Sequence, residues 1–211
     1  MGIAPPVIEV FADLWCPFTH VGLRAVVEER GRLGRPDAIL RVRPWPLELV
    51  NDAPMRFATT VAHAEDLKAQ VAPGLFAGLT EAAWPGTTLP ALALVEAAYR
   101  HDPRLGEEVS LGLRDALFEE GCDLGDPAEL AELAGFAERV GVPEVTEADH
   151  RAVLASLEEG RARGVTGSPH FFCGGADSFC PSLDIGRDEA GELRIGLQTT
   201  ALRTFLEDCL A

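Results

Sequence analysis

The sequence predicts an α/β domain that is interrupted by a helical insertion. The chain opens with a strand, a helix and a second strand, continues through a long stretch in which only helical patterns are recognisable, and then returns to strands and a terminal helix. Strands and helices in this order are typical of a layered α/β architecture. We place the α/β domain at residues 1–50 and 164–211 and the helical insertion at 51–163.

The first unit predicts two parallel strands joined by a helix. Val7 to Phe11 is rich in β-branched and aromatic residues, as buried strands are. Pro17 to about Arg32 carries apolar residues three and four positions apart, which indicates a helix. Ile39 to Trp45 alternates between two faces and predicts the second strand. Such a unit has a right-handed crossover.

The middle of the chain predicts helices. Apolar residues from Leu105 to Leu117 mark a first helix. A second helix begins at Asp126, with Asp126 as N-cap, Pro127 in the first turn and Glu129 at the third position. A third helix opens at Thr146 and runs to about Arg163. The apolar residues that mark the faces of the first and second helices are Leu105, Val109, Leu113, Ala116 and Leu117, then Leu130, Leu133, Ala134 and Ala137.

The last part of the chain returns to strands. His170 to Cys173 predicts a short strand, followed by a turn at Gly174 and Gly175. A second strand is predicted over Leu193 to Leu197, after a turn at Asp188 to Gly191. The terminal helix is predicted from about Thr200 to Leu210.

Composition and charge exclude some classes of function. Of 211 residues, 18 are Lys or Arg and 34 are Asp or Glu, so the formal net charge is −16. This charge argues against binding the phosphate backbone of nucleic acids, and no nucleic-acid partner is predicted. No secretory signal or membrane-spanning segment is recognisable, so we expect a cytoplasmic protein without a membrane partner. In that compartment thiols are mostly reduced, which suits an odd count of 5 cysteines.

Cys16 is the most informative residue, because it falls where the first strand ends and the first helix begins. Unpaired N–H groups and the positive end of the helix dipole meet there, so a thiolate is stabilised and we expect a lowered pKa. Pro17 suits the first helical turn, and the Thr19 hydroxyl is placed to donate to the sulfur. The alternative is an ordinary buried cysteine at a helix start.

A second motif runs from Gly164 to His170. A glycine-rich turn leads into Ser168 and Pro169 at the start of a strand. Bonds that precede proline are where cis peptides occur, and proline is tolerated at the first residue of a strand. Taken alone, this motif predicts only a turn.

Together the two motifs resemble the DsbA-type thioredoxin-like oxidoreductases, in the branch with FrnE-like proteins, 2-hydroxychromene-2-carboxylate isomerases and glutathione transferase kappa. That family has Cys-Pro-x-Cys at the first helix, a helical insertion after the second strand, and a Val-x-Gly-x-Pro loop with a cis proline. Here Cys16 to Thr19 and Val165 to Pro169 occupy those positions. The resemblance implies a thioredoxin-like fold in which Cys16 lies beside Pro169.

The resemblance also implies roles for individual residues. Cys16 is the nucleophile, and backbone groups of Ser168 pair with a bound peptide or thiol compound like an added strand. The position of Thr19, three residues after Cys16, adds a hydrogen-bond donor to the thiolate. The residues predicted to bind substrate are Pro17, Phe18, His20, Ser168, Pro169 and His170.

The sequence departs from the family because Thr19 replaces the second motif cysteine. The mixed disulfide at Cys16 is then resolved by a small thiol such as glutathione or mycothiol, or by another cysteine. Alternatively, Cys16 or Thr19 polarises a bound thiol in an isomerase or transferase reaction, or the chain is a non-catalytic binding module. We predict a thiol–disulfide oxidoreductase with no bound cofactor, glutathione or mycothiol as co-substrate, and a small thiol or a disulfide-containing protein or peptide as substrate. A homodimer is left open.

Histidines and cysteines elsewhere leave alternatives. His20 lies one turn after Cys16, where its imidazolium would lower the thiol pKa, or it is an ordinary helix histidine. Cys173 and Cys180 flank a short hairpin and either form a disulfide or are two small apolar residues. His170, Cys173 and Cys180 lack a fourth ligand and zinc-finger spacing, so no metal site is predicted. Cys122 and Cys209 are expected to be structural.

Overall fold

The computed structural model describes residues 5–126, 128–130, 132–133 and 144–210. The strands are β1 (Val7–Ala12), β2 (Ile39–Pro44), β3 (His170–Cys173), β4 (Ala176–Phe179), β5 (Leu183–Arg187) and β6 (Leu193–Leu197). The α-helices are α1 (Pro17–Arg32), α2 (Leu47–Val50), α3 (Phe57–Gln70), α4 (Leu89–His101), α5 (Pro103–Asp115), α6 (Glu147–Ala162) and α7 (Thr199–Leu210). A short 3-10 turn lies at Glu81–Ala83, and a π-helical turn, Ala116–Glu120, continues α5.

The α/β fold class is confirmed. Four strands form one sheet in the order β2-β1-β3-β4, and β5 and β6 form a separate antiparallel pair. β1 and β2 run parallel, as predicted, with Val7 opposite Ile39 and Ala12 opposite Pro44. β3 runs antiparallel to β1 and places Phe171 opposite Val10. The end of β1 therefore lies beside the start of β3, which brings the two sequence motifs together.

Alternation along β1 divides the core between the two faces of the sheet. Ile8 and Val10 join the large apolar core, whereas Phe11 points to the other face. On that face Phe11 packs with Trp45 and with Leu157 of α6. Residues of the sheet and of the helical segment 47–162 belong to the same large core, while the domain boundaries drawn from the sequence stay a prediction.

Most predicted helix ends agree with the structure to within one residue. α6 begins after Thr146, which exchanges hydrogen bonds with Asp149 in a capping box. The Asp126 carboxylate accepts from the N–H groups of Ala128 and Glu129, as expected of an N-cap. The predicted positions Pro127, Ala134 and Ala137 lie outside the described residues.

Strand β5 is absent from the sequence prediction. Its residues Leu183–Arg187 are short, and only Leu183 is fully buried. A strand with so little apolar alternation has no clear period-2 signal. Pairing with β6 brings Ile185 opposite Ile195 and forms the hairpin around the predicted Asp188–Gly191 turn.

Side chains of the helical segment cover the outer edge of β2. The Glu107 carboxylate accepts from the Leu40 N–H at 2.9 Å and from the Arg30 guanidinium. The Tyr99 hydroxyl accepts from the Val42 N–H at 2.9 Å and donates to the Leu40 carbonyl at 2.7 Å. An exposed strand edge would leave these backbone groups free to pair with another chain. Helices α4 and α5 therefore complete the sheet as well as packing on it.

The cysteine pairing differs from both arrangements expected at the β3–β4 hairpin. Cys173 forms a disulfide with Cys209 of α7, with a Cα–Cα distance of 5.2 Å. The hairpin register explains why Cys180 is not its partner. Cys173 lies opposite Ala176, whereas Cys180 follows Phe179 at the far end of β4. The prediction of reduced thiols is wrong for Cys173 and Cys209.

Helix α4 is buried from Ala91 to Tyr99, and every residue of this stretch except Glu96 is apolar. It packs inside the protein against α5 and α6, and Glu96 within it pairs with Arg41. Among the described residues, no helix combines the length and apolar character needed to cross a membrane.

A glycine pair tests the packing of α6 on the sheet. A Cβ atom on Gly160 would lie 2.6 Å from the Trp45 ring and 3.0 Å from the Phe11 ring, whereas one on Gly31 of α1 meets no described atom within 4 Å. We expect Gly160→Ala to lower the free energy of unfolding by about 1–3 kcal/mol. Gly31→Ala is the control and should raise it by up to about 1 kcal/mol. Urea denaturation of both variants measures this, and equal effects would contradict the packing.

Candidate functional site

Cys16 is the last residue before helix α1, in the short segment that connects β1 to this helix. It is the N-cap residue of α1, with extended backbone angles of φ −84° and ψ 112°. Its thiol donates to the carbonyl oxygen of Ser168 across 3.1 Å, and only 5% of the residue is exposed. The predicted junction of strand and helix is therefore where the structure places this cysteine.

The loop that faces Cys16 contains a cis peptide. The bond between Ser168 and Pro169 is cis, as the sequence motif indicated. Pro169 is buried against α1, where a Cβ atom on Gly22 would lie 3.5 Å from the proline ring. This distance is an ordinary van der Waals contact, so α1 packs against the loop that faces Cys16.

Two hydroxyl groups form a short chain beside the sulfur. The Ser168 hydroxyl oxygen accepts from the Asp13 backbone N–H at 2.9 Å and lies 2.8 Å from the hydroxyl oxygen of Thr19. Each hydroxyl has one proton to donate. When Thr19 donates its proton to the Cys16 sulfur, Ser168 is the group that donates to Thr19. The arrangement therefore suits stabilisation of a negative charge on sulfur.

The pKa of Cys16 is nevertheless raised above its ordinary value. Burial is the largest cause, because it disfavours the charged thiolate. The side chain and backbone N–H of Thr19 and the side chain of Ser168 lower the pKa, while the Asp13 carboxylate raises it again. The prediction of a lowered pKa is wrong, since the position at the helix N-terminus was considered without the desolvation of the sulfur.

Asp13 is a buried carboxylic acid that the sequence analysis did not select. It accepts hydrogen bonds from the Leu14 N–H at 2.6 Å, the Thr88 hydroxyl at 2.9 Å and the Leu47 N–H. Burial raises its pKa to about 6, against the opposing effect of these donors and of the Arg114 charge. An acidic residue between apolar neighbours at the end of a buried strand was the signal available in the sequence.

Arg114 of α5 brings a positive charge to the same region. Its guanidinium donates to the Asp13 backbone carbonyl at 3.2 Å and to the Ser110 carbonyl and hydroxyl at 2.7 Å. Burial lowers its pKa to about 10, while the charges of Asp13 and Cys16 act in the opposite direction. Nothing in the sequence near Arg114 indicated that this arginine contacts Asp13, three residues before Cys16.

The structure does not bring the His20 side chain to the Cys16 sulfur. The imidazole is buried between the rings of Phe76 and Phe118, and its Nε2 lies 2.7 Å from the Glu119 carboxylate. Burial lowers the pKa of His20, with Glu119 acting against it. His20 therefore joins α1 to the turn after α5 instead of charging the thiol.

His170 also points away from the sulfur. Its Nδ1 accepts from the Thr166 N–H at 3.1 Å, so its Nε2 carries the proton and donates to Asp177 at 3.0 Å. The ring stacks on Phe172 with a centroid distance of 4.8 Å. Its contacts hold the loop before β3 to the β3–β4 hairpin, and its predicted role in substrate binding stays a prediction.

Pro17 and Phe18 lie on the first turn of α1, next to Cys16. Pro17 is buried at the helix start. Phe18 is half-buried, and its ring lies 5.2 Å from that of His63 in α3. The neighbouring Trp15 is fully buried and stacks on Trp84 of the helical segment. The surroundings of Cys16 are thus largely apolar and aromatic on the side of α3.

A sheet with a cysteine at the start of its first crossover helix, facing a cis-proline loop, defines a thioredoxin-like thiol protein. The family model that describes a DSBA-like thioredoxin domain matches residues 7–185, which is most of the chain. The chain belongs to this family. A comparison with curated protein sequences gives no significant match.

Solved structures share the fold at low sequence identity. The cytosolic disulfide reductase DsbM from Pseudomonas aeruginosa with GSH has a TM-score of 0.63 at 16% identity, covering 95% of this chain and 97% of that one. A candidate protein disulfide isomerase from Nitrosomonas europaea has a TM-score of 0.61 at 18% identity, covering 96% of each chain. A 2-hydroxychromene-2-carboxylate isomerase has a TM-score of 0.53 at 13% identity, covering 82% and 88%. These similarities extend over nearly the whole DsbA-like fold.

The alkylation of Cys16 against pH tests the electrostatics of the site. Burial and the Asp13 carboxylate raise the thiol pKa, so we expect a midpoint above the ordinary thiol value of about 8.5. Asp13→Asn removes a negative charge and should lower the midpoint, whereas Thr19→Val removes a donor and should raise it. Iodoacetamide labelling with peptide mapping measures Cys16 separately from Cys122 and Cys180. A wild-type midpoint well below 8.5 would contradict the dominance of burial.

Proposed function

We propose that this protein is a thiol–disulfide oxidoreductase whose nucleophile is Cys16. The observation that carries the proposal is the 3.1 Å contact between the Cys16 sulfur and the Ser168 carbonyl oxygen, at a cis-proline loop. The Cys16 thiol loses its proton, and the thiolate attacks one sulfur of a substrate disulfide. A mixed disulfide forms at Cys16, and the other sulfur leaves as a thiolate that takes up the proton.

The substrate is a small disulfide or a disulfide-containing peptide. Ser168 is partly exposed, and pairing its backbone groups with an extended substrate would add a strand to the sheet. Phe18, two residues after Cys16, is apolar and partly exposed, which favours a substrate that covers it. Binding that displaces the Ser168 carbonyl from the thiol would expose the sulfur for attack.

The reducing electrons come from a small thiol such as glutathione or mycothiol. Thr19 is buried where the family has its second cysteine, so no disulfide can close within the motif. The DsbM structure contains GSH and shares the fold of this chain, which supports a thiol of this class as co-substrate. We propose no resident cofactor.

We propose the cytoplasm as the working compartment. The similarity to a cytosolic disulfide reductase supports this assignment. The Cys173–Cys209 disulfide is the observation against it, because structural disulfides are rare in reducing compartments.

A second candidate is an isomerase or transferase that acts on a conjugate of a small thiol. The adjacent hydroxyls of Thr19 and Ser168 favour it, because they could polarise the sulfur of a bound thiol. Burial of Cys16, which keeps its own thiol protonated, points in the same direction. The similarity to 2-hydroxychromene-2-carboxylate isomerase is a similarity of fold.

Cys16→Ser decides between the two candidates. For an oxidoreductase we expect the variant to lose turnover of a disulfide substrate, with glutathione as reductant, by roughly 10³-fold or more, since the nucleophile is gone. Cys122→Ser, a change of a partly exposed free cysteine in the helical segment, is the matched control and should keep full activity.

Full activity in Cys16→Ser would overturn the proposed oxidoreductase. Saturable binding of glutathione or mycothiol to this variant, measured by calorimetry and accompanied by isomerisation of a thiol conjugate, would favour the second candidate. A thiol that is inert in the wild type, with no binding of small thiols, would indicate a binding module.

A further inference from the structure

A second buried cysteine adjoins the cis-proline loop. The antiparallel register of β3 and β4 places His170 opposite Phe179. The pairing continues one residue further, where the Cys180 N–H donates to the Pro169 carbonyl at 3.0 Å. Opposite residues of antiparallel strands are close neighbours, with Cα atoms about 4.5–5.5 Å apart. Cys180 is therefore held directly beside Pro169.

Cys16 and Cys180 contact the same loop through neighbouring carbonyl groups. The Cys16 thiol donates to the carbonyl oxygen of Ser168, and the Cys180 backbone donates to that of Pro169. Both cysteines are buried and free, with 5% and 2% exposure. Burial and, after it, the charge of Cys16 raise the pKa of Cys180.

The backbone at Cys180 has an unusual conformation. Its φ is +47°, in the left-handed region that residues other than glycine, asparagine and aspartate seldom adopt. Such strain costs free energy and persists where the surrounding structure imposes it, often at functional sites.

We propose that Cys180 is the resolving cysteine of this protein, attacking the mixed disulfide that a substrate forms with Cys16. The inference deepens the proposed function and rests on it. It replaces the missing second cysteine of the Cys16–Thr19 motif by one that is distant in sequence and adjacent in the fold.

In the resolving step, the Cys180 sulfur replaces the substrate sulfur in the bond to Cys16. The Cys180 thiol loses its proton, and its sulfur attacks the Cys16 sulfur of the mixed disulfide. The bond between Cys16 and the substrate sulfur breaks, a Cys16–Cys180 disulfide forms, and the substrate leaves as a thiolate that takes up the proton. Two molecules of a small thiol then reduce the Cys16–Cys180 disulfide and leave as their own disulfide.

Burial disfavours the Cys180 thiolate on which the resolving step depends. Burial, followed by the charge of Cys16, raises the pKa of Cys180 to about 12. The Cys16 contribution disappears once Cys16 is in a mixed disulfide, because its sulfur then carries no charge. The remaining barrier is the desolvation of the Cys180 sulfur. Among the other described cysteines, Cys173 and Cys209 are bonded to each other, and Cys122 lies in the helical segment.

Single-turnover reaction with glutathione disulfide tests the proposal. A Cys122→Ser parent protein, with Cys16 and Cys180 reduced, is mixed with glutathione disulfide. Samples are quenched with acid at intervals, and their cysteine peptides are mapped by mass spectrometry. We expect a glutathione adduct on Cys16 that decays as a Cys16–Cys180 cross-linked peptide appears. In Cys180→Ser the adduct should persist about tenfold longer or more, since an intramolecular thiol is lost.

The outcomes separate this inference from the proposed function. An adduct on Cys16 that persists in the parent, or that decays equally fast in Cys180→Ser, overturns the role of Cys180 and leaves the oxidoreductase standing. Absence of any adduct on Cys16 overturns both. Cys180→Gly is the second variant, because glycine adopts the positive φ without strain. If neither variant folds, the cross-linked peptide in the parent decides, and its absence overturns the proposal.

Discussion

Ser168 connects the parts of the chain on which the site depends. Its hydroxyl accepts from the Asp13 N–H at the end of β1 and pairs with Thr19 of α1, while its carbonyl accepts from Cys16. The loop is thereby tied to a segment about 150 positions earlier in the sequence. The peptide bond that follows Ser168 is cis. Without this connection the cysteine and the proline loop would be two separate local motifs.

Burial governs the chemistry of this region more than the local motifs do. It raises the pKa values of Cys16 and Asp13 and lowers that of Arg114, in each case favouring the neutral form. At Cys16, hydrogen bonds with Thr19 and Ser168 lower the pKa and so oppose the effect of burial. A substrate that replaces the contact between the thiol and Ser168 would therefore change the balance, since it alters the solvation of the sulfur and the donors around it.

The helical segment contributes directly to both the sheet and the site. Glu107 and Tyr99 accept hydrogen bonds from backbone N–H groups at the outer edge of β2. Arg114 donates to the Asp13 carbonyl, and Thr88 donates to the Asp13 carboxylate. The segment also shares an apolar core with the sheet. Changes in the helical segment are expected to reach Cys16 through Asp13, without any contact to a substrate.

The sequence by itself determined the βαβ unit, the starts of α1, α6 and α7, Cys16 at the first helix and the Ser168–Pro169 loop, because each depends on a period or on residues close together in the chain. The tertiary structure alone decided the direction of the Cys16 pKa, the burial of His20 with Glu119, the Cys173–Cys209 pairing and the place of Cys180 beside Pro169. Desolvation and long-range pairing set these properties, since both depend on which distant segments meet.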